Sequence, residues 1–571
     1  MKRYLQFIMC LACVALGSSS IMAQVSPYTS PLKVDREYTG VHYLQDAALA
    51  QSIGLPKPLT GKGVLLVVGD GDMETSHVAF RDAETGLSRF IRMYYYDATL
   101  SDPEEIMEHK ALFDTHGTHV MGIAAGAYDD GRGMQGIATG ATLGFFEFSA
   151  LNKALPKISA LADSLNVPCV VSVSASNRTD MYHDGITAWS DAINSFTDNG
   201  NAPGRLFFLS VGNYGKGTGS PYFSHTFTTA GEKLRAFTDY ESFLSFCAIF
   251  PEGAGKLAIE AYDTIQHKVV DNVIMDEMGE PLSNADATEQ WITYEKRRNR
   301  TCASVSELIQ IEEPNVVASF VISGEPGTVF ESLDGDLHLR NGEGIVPNGI
   351  RPRYGLNCTA TVESCISVGN MTARDYEKSG VMFHPGMIYG SSSWGIDDLG
   401  RKHPDVCAPG TYMMSSVTTT YGEGATPSQL ESQDVWCSKN PLGEYPARDY
   451  YWGCFSGTSM ATPYMAGVAT LLLEYDPTIT ANRLRNLIRQ TNDWTEACEN
   501  DKYGPLHAGC GILNAKRLAE ALIAEKPTGV IDVTTTRPAV SHIPVDLLGR
   551  PVDPATYKGI YIMNGKKYIG R

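Results

Sequence analysis

Four side chains in this 571-residue sequence have the types and settings to do chemistry together: Asp70, His116, Asn213 and Ser459. Ser459 lies in Phe455-Ser456-Gly457-Thr458-Ser459-Met460-Ala461-Thr462-Pro463, at the mouth of the apolar run Tyr464 to Leu473. That run reads as a buried helix. Gly457 is expected to turn the backbone tightly and Pro463 to fall in the first turn, which puts Ser459 at the positive helix end. A hydroxyl there faces developing negative charge, although a Ser/Gly/Ala helix start also serves plain close packing. His116 stands in Asp114-Thr115-His116-Gly117-Thr118-His119-Val120-Met121-Gly122, at the entry of a small-residue helix. His116 and His119 lack the acidic partner of helical zinc motifs, so no metal is assigned to them. Asp70 follows the apolar run Val64 to Val68, and Asn213 follows Leu206 to Val211. Polar residues at the carboxyl ends of parallel strands are where α/β sheets place chemistry, with a simple turn as the plain alternative.

Acyl transfer needs this set. A serine hydroxyl is a weak nucleophile until a base takes its proton, and the base needs a carboxylate to fix its tautomer and stabilise its charged form. The tetrahedral oxyanion needs donors aimed at it, here the Asn213 carboxamide and the backbone N–H of Ser459. The elements that must hold these groups are legible as well. Val64 to Val68, Leu143 to Phe148, Val167 to Val173 and Leu206 to Val211 are apolar runs of strand length, separated by helix-like segments such as Lys157 to Leu165 and Ile186 to Phe196. Alternating strands and helices predict an α/β fold with a parallel sheet covered on both faces. From 221 to 357 the runs are broken by Gly, Pro, Asn and charged clusters, which predicts an inserted antiparallel β domain. The α/β texture resumes over 358–525, so 61–220 and 358–525 are expected to form one catalytic domain after a lead of residues 24–60. Residues 526–571 read as a linker and a short β tail with a hairpin around Asn564-Gly565.

The net charge of −19 argues against nucleic acid and anionic membrane surfaces as partners. Lys2 and Arg3, the apolar run Leu5 to Leu16 and the small-residue stretch to Ala23 read as a signal peptide over residues 1–23, too short to span a bilayer. A secreted, periplasmic or cell-surface protein without membrane insertion is expected. Of twelve cysteines, Cys10 and Cys13 fall in the signal, and the ten others enter an oxidising compartment, where an even count favours disulfides. Cys358 with Cys365, Cys437 with Cys454 and Cys498 with Cys510 are the neighbouring pairings to examine.

With these residues in place, the chain resembles a subtilisin-like serine peptidase (subtilase) of secreted bacterial type. His116 to Gly122 and Gly457 to Pro463 match the family's histidine and serine blocks, Val211-Gly212-Asn213 matches its oxyanion block, and Pro404-Asp405-Val406-Cys407-Ala408-Pro409-Gly410 matches a further landmark. The order Asp, His, Ser is the family's. The resemblance implies a serine endopeptidase acting on polypeptides as a monomer, with no required cofactor and with room for a structural calcium ion. Asp334-Gly335-Asp336 and Asp397-Asp398 are the acidic stretches considered for calcium. It also implies substrate-binding roles for Ser174, Ala175, Ser176 and Gly212, Ser176 standing where a glycine is usual. The aspartate block departs from the pattern. Gly69 replaces an apolar residue, and Gly71 and Asp72 stand where Thr and Gly are usual, so Asp72 stays open beside Asp70. An inactive scaffold binding polypeptide or glycan through the insertion is the competing reading. The tail resembles short C-terminal sorting domains of bacterial type IX export.

Overall fold

A computed structural model describes residues 30–525 apart from 83–84, 112–113, 130, 176–182, 216–221, 239–243, 278–291, 298–299, 308–314, 334–336, 342–343, 346–354, 379, 433 and 444–446, together with 545–546, 552, 559–563 and 566–570. The proposed signal peptide, most of the linker, Ser176 and the Asp334–Asp336 stretch lie outside the described residues.

The strands that matter for the site are β1 (Leu65–Asp70), β2 (Phe90–Tyr94), β3 (Thr99–Leu100), β4 (Thr142–Glu147), β5 (Cys169–Val173), β6 (Arg205–Ser210), β7 (Ile366–Met371) and β8 (Val406–Pro409). They form one sheet in the order β8-β7-β6-β5-β1-β4-β2-β3. All pairings are parallel except β2 with β3. The order turns back on itself around β1. In open parallel sheets, that crevice outside the carboxyl ends of the strands is where sites form.

Helices cover both faces: α1 (Pro31–Tyr38), α2 (His116–Ala125), α3 (Leu151–Leu165), α4 (Ser190–Thr197), α5 (Thr458–Tyr475), α6 (Ala481–Thr491) and α7 (Ala515–Glu525). The continuous apolar run of β1 is explained by burial on both sides. Leu66 and Val68 join a core with Val120 of α2, Val468 of α5 and Leu518 of α7. Leu65 and Val67 join a second core with Ile158 of α3 and Ile193 of α4. α5 packs along α2 and across β5, β6 and β7. Just ahead of it, β9 (Met413–Val417), β10 (Val435–Ser438) and β11 (Tyr450–Phe455) form a small sheet with β11 in the middle, and β11 feeds directly into Ser456 and Gly457.

Between β6 and β7 the chain makes two antiparallel sheets, one of six strands and one of five, with strands from Tyr222–Thr226 to Gly344–Ile345. In the tail, Gly559–Met563 and Lys566–Gly570 pair antiparallel on either side of Asn564-Gly565, and Val545–Asp546 adds a third strand.

Residues 30–60 pack into the folded core, which includes Leu32, Val41, Leu44 and Leu59. Ser30 caps α1, Pro31 occupies its first turn, Leu32 is fully buried, and Asp35 pairs with Arg374 beneath the surface. Arg36 donates to the carbonyls of Gln135 at 2.6 Å and Gly136 at 3.2 Å. The three neighbouring cysteine pairings do not form, for the thiols of Cys365, Cys437, Cys454, Cys498 and Cys510 are free, as are those of Cys169 and Cys407. Cys437 faces Tyr451 across β10 and β11, three positions from Cys454. That offset is about 10 Å along a strand, beyond the reach of a disulfide.

Candidate active site

β6, β5 and β1 are neighbours in the sheet, so their carboxyl ends bring Asn213, Ser174 and Asp70 to one edge of it. β1 ends on Asp70 itself. Gly69, the departure from the family pattern, has a steric cause: a Cβ there would fall 2.2 Å from the Phe146 ring, which fills that space from β4. Gly117 is required for a similar reason. A Cβ on it would stand 2.1 Å from the Asp72 carbonyl oxygen, so only glycine lets the first turn of α2 approach the Asp70–Asp72 loop.

That approach joins Asp70 and His116. The His116 Nδ1 lies 2.9 Å from Asp70 Oδ2 and 3.1 Å from Oδ1, and Asp70 Oδ1 also accepts the Gly71 N–H at 2.8 Å. Asp70 is buried, whereas the His116 ring is partly exposed. With Nδ1 engaged, Nε2 is the ring nitrogen left for proton transfer. Burial of the ring disfavours its cation, but the Asp70 charge and hydrogen bond, joined by the Asp114 charge, outweigh burial and push His116 up to about 9. Asp114, unassigned from sequence, accepts the His116 backbone N–H, the first of α2, at 2.8 Å from two residues ahead of the histidine.

Asp72 is engaged elsewhere. Its Oδ1 lies 3.0 Å from His109 Nε2 and accepts from the Tyr95 hydroxyl at 3.1 Å and from Met73 N–H at 2.8 Å. His119 is buried, its Nε2 3.0 Å from the carbonyls of both Met413 and Gly453; burial pushes it down to about 3, so it is neutral.

Ser459 is the second residue of α5, at the helix end where backbone donors are unpaired. Two details of its surroundings differ from expectation. Gly457 is extended (φ 160°, ψ 169°) rather than tightly turned, and Pro463 is the sixth helical residue, past the first turn. Proline has no N–H, so it cannot donate to the carbonyl four residues back, which is that of Ser459. Ser174 Oγ donates to that freed carbonyl at 2.9 Å, and Ser459 Oγ in turn donates to the Ser174 carbonyl at 3.3 Å. The proline therefore frees the carbonyl through which the serine helix is fastened to the end of β5.

Asn213 is exposed and held by one end. Its Oδ1 accepts the Thr458 N–H at 3.0 Å and the Thr458 hydroxyl at 3.1 Å, which assigns the amide orientation and leaves Nδ2 as a donor. A Cβ on Gly457 would lie 3.5 Å from Asn213 Nδ2 and 3.7 Å from Ser459 N, so both donors border one small space that the glycine keeps open. Thr458, next to the nucleophile candidate, thus holds the Asn213 carboxamide, a contact that sequence reading passed over. Gly212 accepts from Ser393 N–H at 2.9 Å, and Ala175 accepts from the Asn357 carboxamide at 3.1 Å.

The Asp397-Asp398 pair does not fit a calcium loop. Asp397 accepts from Arg401 and lies 3.0 Å from His403 Nε2, and Arg300 holds both Asp398 oxygens at 3.0 Å. Among the described residues, no group of three or more His, Cys, Asp or Glu is placed to hold a metal ion.

The subtilase family model matches residues 61–511. Serine protease AprX of Bacillus subtilis (strain 168) is 29% identical over 126 residues, 22% of this chain and 24% of that protein. The serine protease/ABC transporter B family protein tagD of Dictyostelium discoideum is 22% identical over 434 residues, 73% of this chain and 19% of that one. The chain thus spans a quarter or less of either relative's length. The structure of the Clostridium perfringens CspB protease shares the fold, with a TM-score of 0.56 at 20% identity over 82% of this chain and 94% of that one.

Proposed function

Because this chain belongs to the subtilase family, we propose that it is an exported serine endopeptidase that hydrolyses polypeptides through an acyl-enzyme. The observation that carries this reading is the Asp70–His116 pair at 2.9 Å on the same sheet edge as a serine at a helix start. Ser459 Oγ turns from the Ser174 carbonyl toward His116 Nε2, gives up its proton and attacks the peptide carbonyl. His116 then protonates the leaving amine, Asp70 holding Nδ1 throughout. Asn213 Nδ2 and the Ser459 N–H stabilise the oxyanion. Water, activated by the same histidine, releases the acyl group. Export rests on the sequence of residues 1–23; no helix among the described residues is long and apolar enough to cross a membrane.

The test is a fluorophosphonate probe with casein as substrate. Labelling at Ser459 together with cleavage supports the enzyme; a folded chain that does neither is a scaffold, and the sheets of 222–345 become the place to look for function.

Two quantitative outcomes follow. Asn213→Ala leaves the Thr458 donors unpaired and removes one oxyanion donor, so kcat falls by about 10² to 10³ while KM moves little. Steady-state kinetics at fixed pH check the split. The second concerns pH. Catalysis uses neutral His116, and its folded pKa is raised, so kcat/KM climbs with pH to a midpoint near 9. At pH 7 only about one ring in a hundred is neutral, and activity there is about a hundredfold below its alkaline plateau. The stabilising effect of the pair runs the other way, complete below the unfolded histidine value and lost as pH rises through about 9. Asp114→Asn removes one raising charge and moves the midpoint down. A pH–rate profile with the same midpoint in both proteins would refute that role for Asp114.

A further inference from the structure

Resting on the peptidase reading, we propose that Asn357 is a positioning residue that sets the spacing between the strand end carrying Ser174 and the one carrying Asn213. The backbone ladder between β5 and β6 runs from Cys169 opposite Arg205 to Val173 opposite Leu209. Beyond that last rung the two chains carry Ser174 and Ala175 on one side, and Ser210 to Asn213 on the other. Asn357 bridges them there. Its Nδ2 donates to the Ala175 carbonyl at 3.1 Å and to the Ser210 carbonyl at 3.0 Å, one hydrogen for each strand. Its backbone N–H donates to the Val211 carbonyl at 2.7 Å, and its Oδ1 accepts the Thr359 N–H at 3.1 Å, which fixes the amide orientation. The residue is 5% exposed, so every one of these groups would be costly to leave unpaired.

Only a carboxamide does all of this from one short side chain. An aspartate in the same place turns an oxygen toward two carbonyl oxygens, and an apolar residue leaves both carbonyls bare. In either case the strand ends separate, and with them the two groups that grip α5: Ser174 on the Ser459 carbonyl and Asn213 on Thr458. Asn357 touches no reacting atom. It acts through the distance between the hold on the nucleophile and the oxyanion donor, where a shift of about 1 Å is worth about 10² in rate. The neighbouring Leu356 carbonyl lies 3.0 Å from His183 Nε2, a further link made by the segment that rejoins the core after the antiparallel sheets.

The experiment uses the full mature chain and the variants Asn357→Asp, Asn357→Ala and Asn357→Ser, with Ile193→Val in α4 as a core-destabilised control. A fluorogenic peptide from a casein site that the wild type cleaves supplies kcat and KM; the same sequence ending in a boronic acid, a tetrahedral-adduct mimic, and its carboxylate product supply binding constants. The expected result is a ten- to hundredfold loss of kcat, KM within about threefold, boronate binding weakened by the factor lost in kcat, and product binding unchanged. Asn357→Ser, keeping one donor, falls between wild type and Asn357→Ala and covers the case in which Asn357→Asp does not fold. Variants that melt earlier, like Ile193→Val, yet keep wild-type kcat and boronate affinity per folded molecule overturn the role. A folded wild type that cleaves no casein and takes no fluorophosphonate overturns the peptidase reading and this role with it, an outcome distinct from the last.

Discussion

Ser459→Ala abolishes casein hydrolysis and fluorophosphonate labelling while the far-ultraviolet circular dichroism and melting temperature stay close to those of the parent. In subtilisin itself, loss of the nucleophile costs about 10⁶ in turnover, and the same order is expected here because the neighbouring hydroxyls of Ser174 and Thr458 are engaged with the Ser459 carbonyl and with Asn213. The fold survives for a reason visible in the structure. The link that fastens α5 to β5 runs from Ser174 Oγ to the backbone carbonyl of Ser459, which alanine retains. What alanine loses is the 3.3 Å hydrogen bond from Oγ to the Ser174 carbonyl, a long contact worth less than about 1 kcal/mol. Turnover and stability are thus separated at this position. If the purified alanine variant kept more than about a hundredth of the parent rate, against the roughly 10⁶ loss expected, the nucleophile would have to be sought elsewhere in the chain.

The serine was legible because helix-start chemistry is local: small residues, a hydroxyl and an apolar run fall within twenty positions. The parallel strands were legible for the same reason, each being a short apolar run with buried residues on both faces. What escaped depends on distant partners. Residues 30–38 look polar, yet Asp35 is neutralised by Arg374, 339 positions away, and no sequence pattern announces that pairing. The Ser-Pro start of α1 was a usable signal, since proline suits the first helical turn. Pro463 was seen, but its effect was not, because that effect consists of an unbonded carbonyl and a hydroxyl from another strand that takes it up. Gly69 departs from the aspartate block because the Phe146 ring, distant in sequence, fills the space its Cβ would take. The Cys437–Cys454 pairing failed because nearness in sequence does not set the register of β10 against β11.

The aspartate block is where sequence left a choice, and exchanging each acid for its amide decides it. Asp70→Asn is expected to lower kcat/KM by about 10⁴, the scale on which an amide in this role leaves the imidazole in the wrong tautomer. An asparagine offers His116 Nδ1 either a neutral oxygen, which stabilises the imidazolium far less, or an N–H, which forces the ring proton onto Nε2 and removes the base. The same change lowers the His116 pKa, because Asp70 contributes both charge and hydrogen bond to the upward shift. The pH midpoint of what activity remains therefore moves toward neutrality. Asp72→Asn keeps an oxygen to accept from Met73 N–H and the Tyr95 hydroxyl, and it has no hydrogen bond to His116 to lose. Its rate stays within about threefold of the parent, an ordinary effect for a residue outside the reacting set. Rates and pH profiles of the two amides, measured beside each other, separate the assignments cleanly. Collapse on Asp72→Asn with survival of Asp70→Asn would mean that His116 abandons the 2.9 Å bond seen here and turns to the second acid when substrate binds.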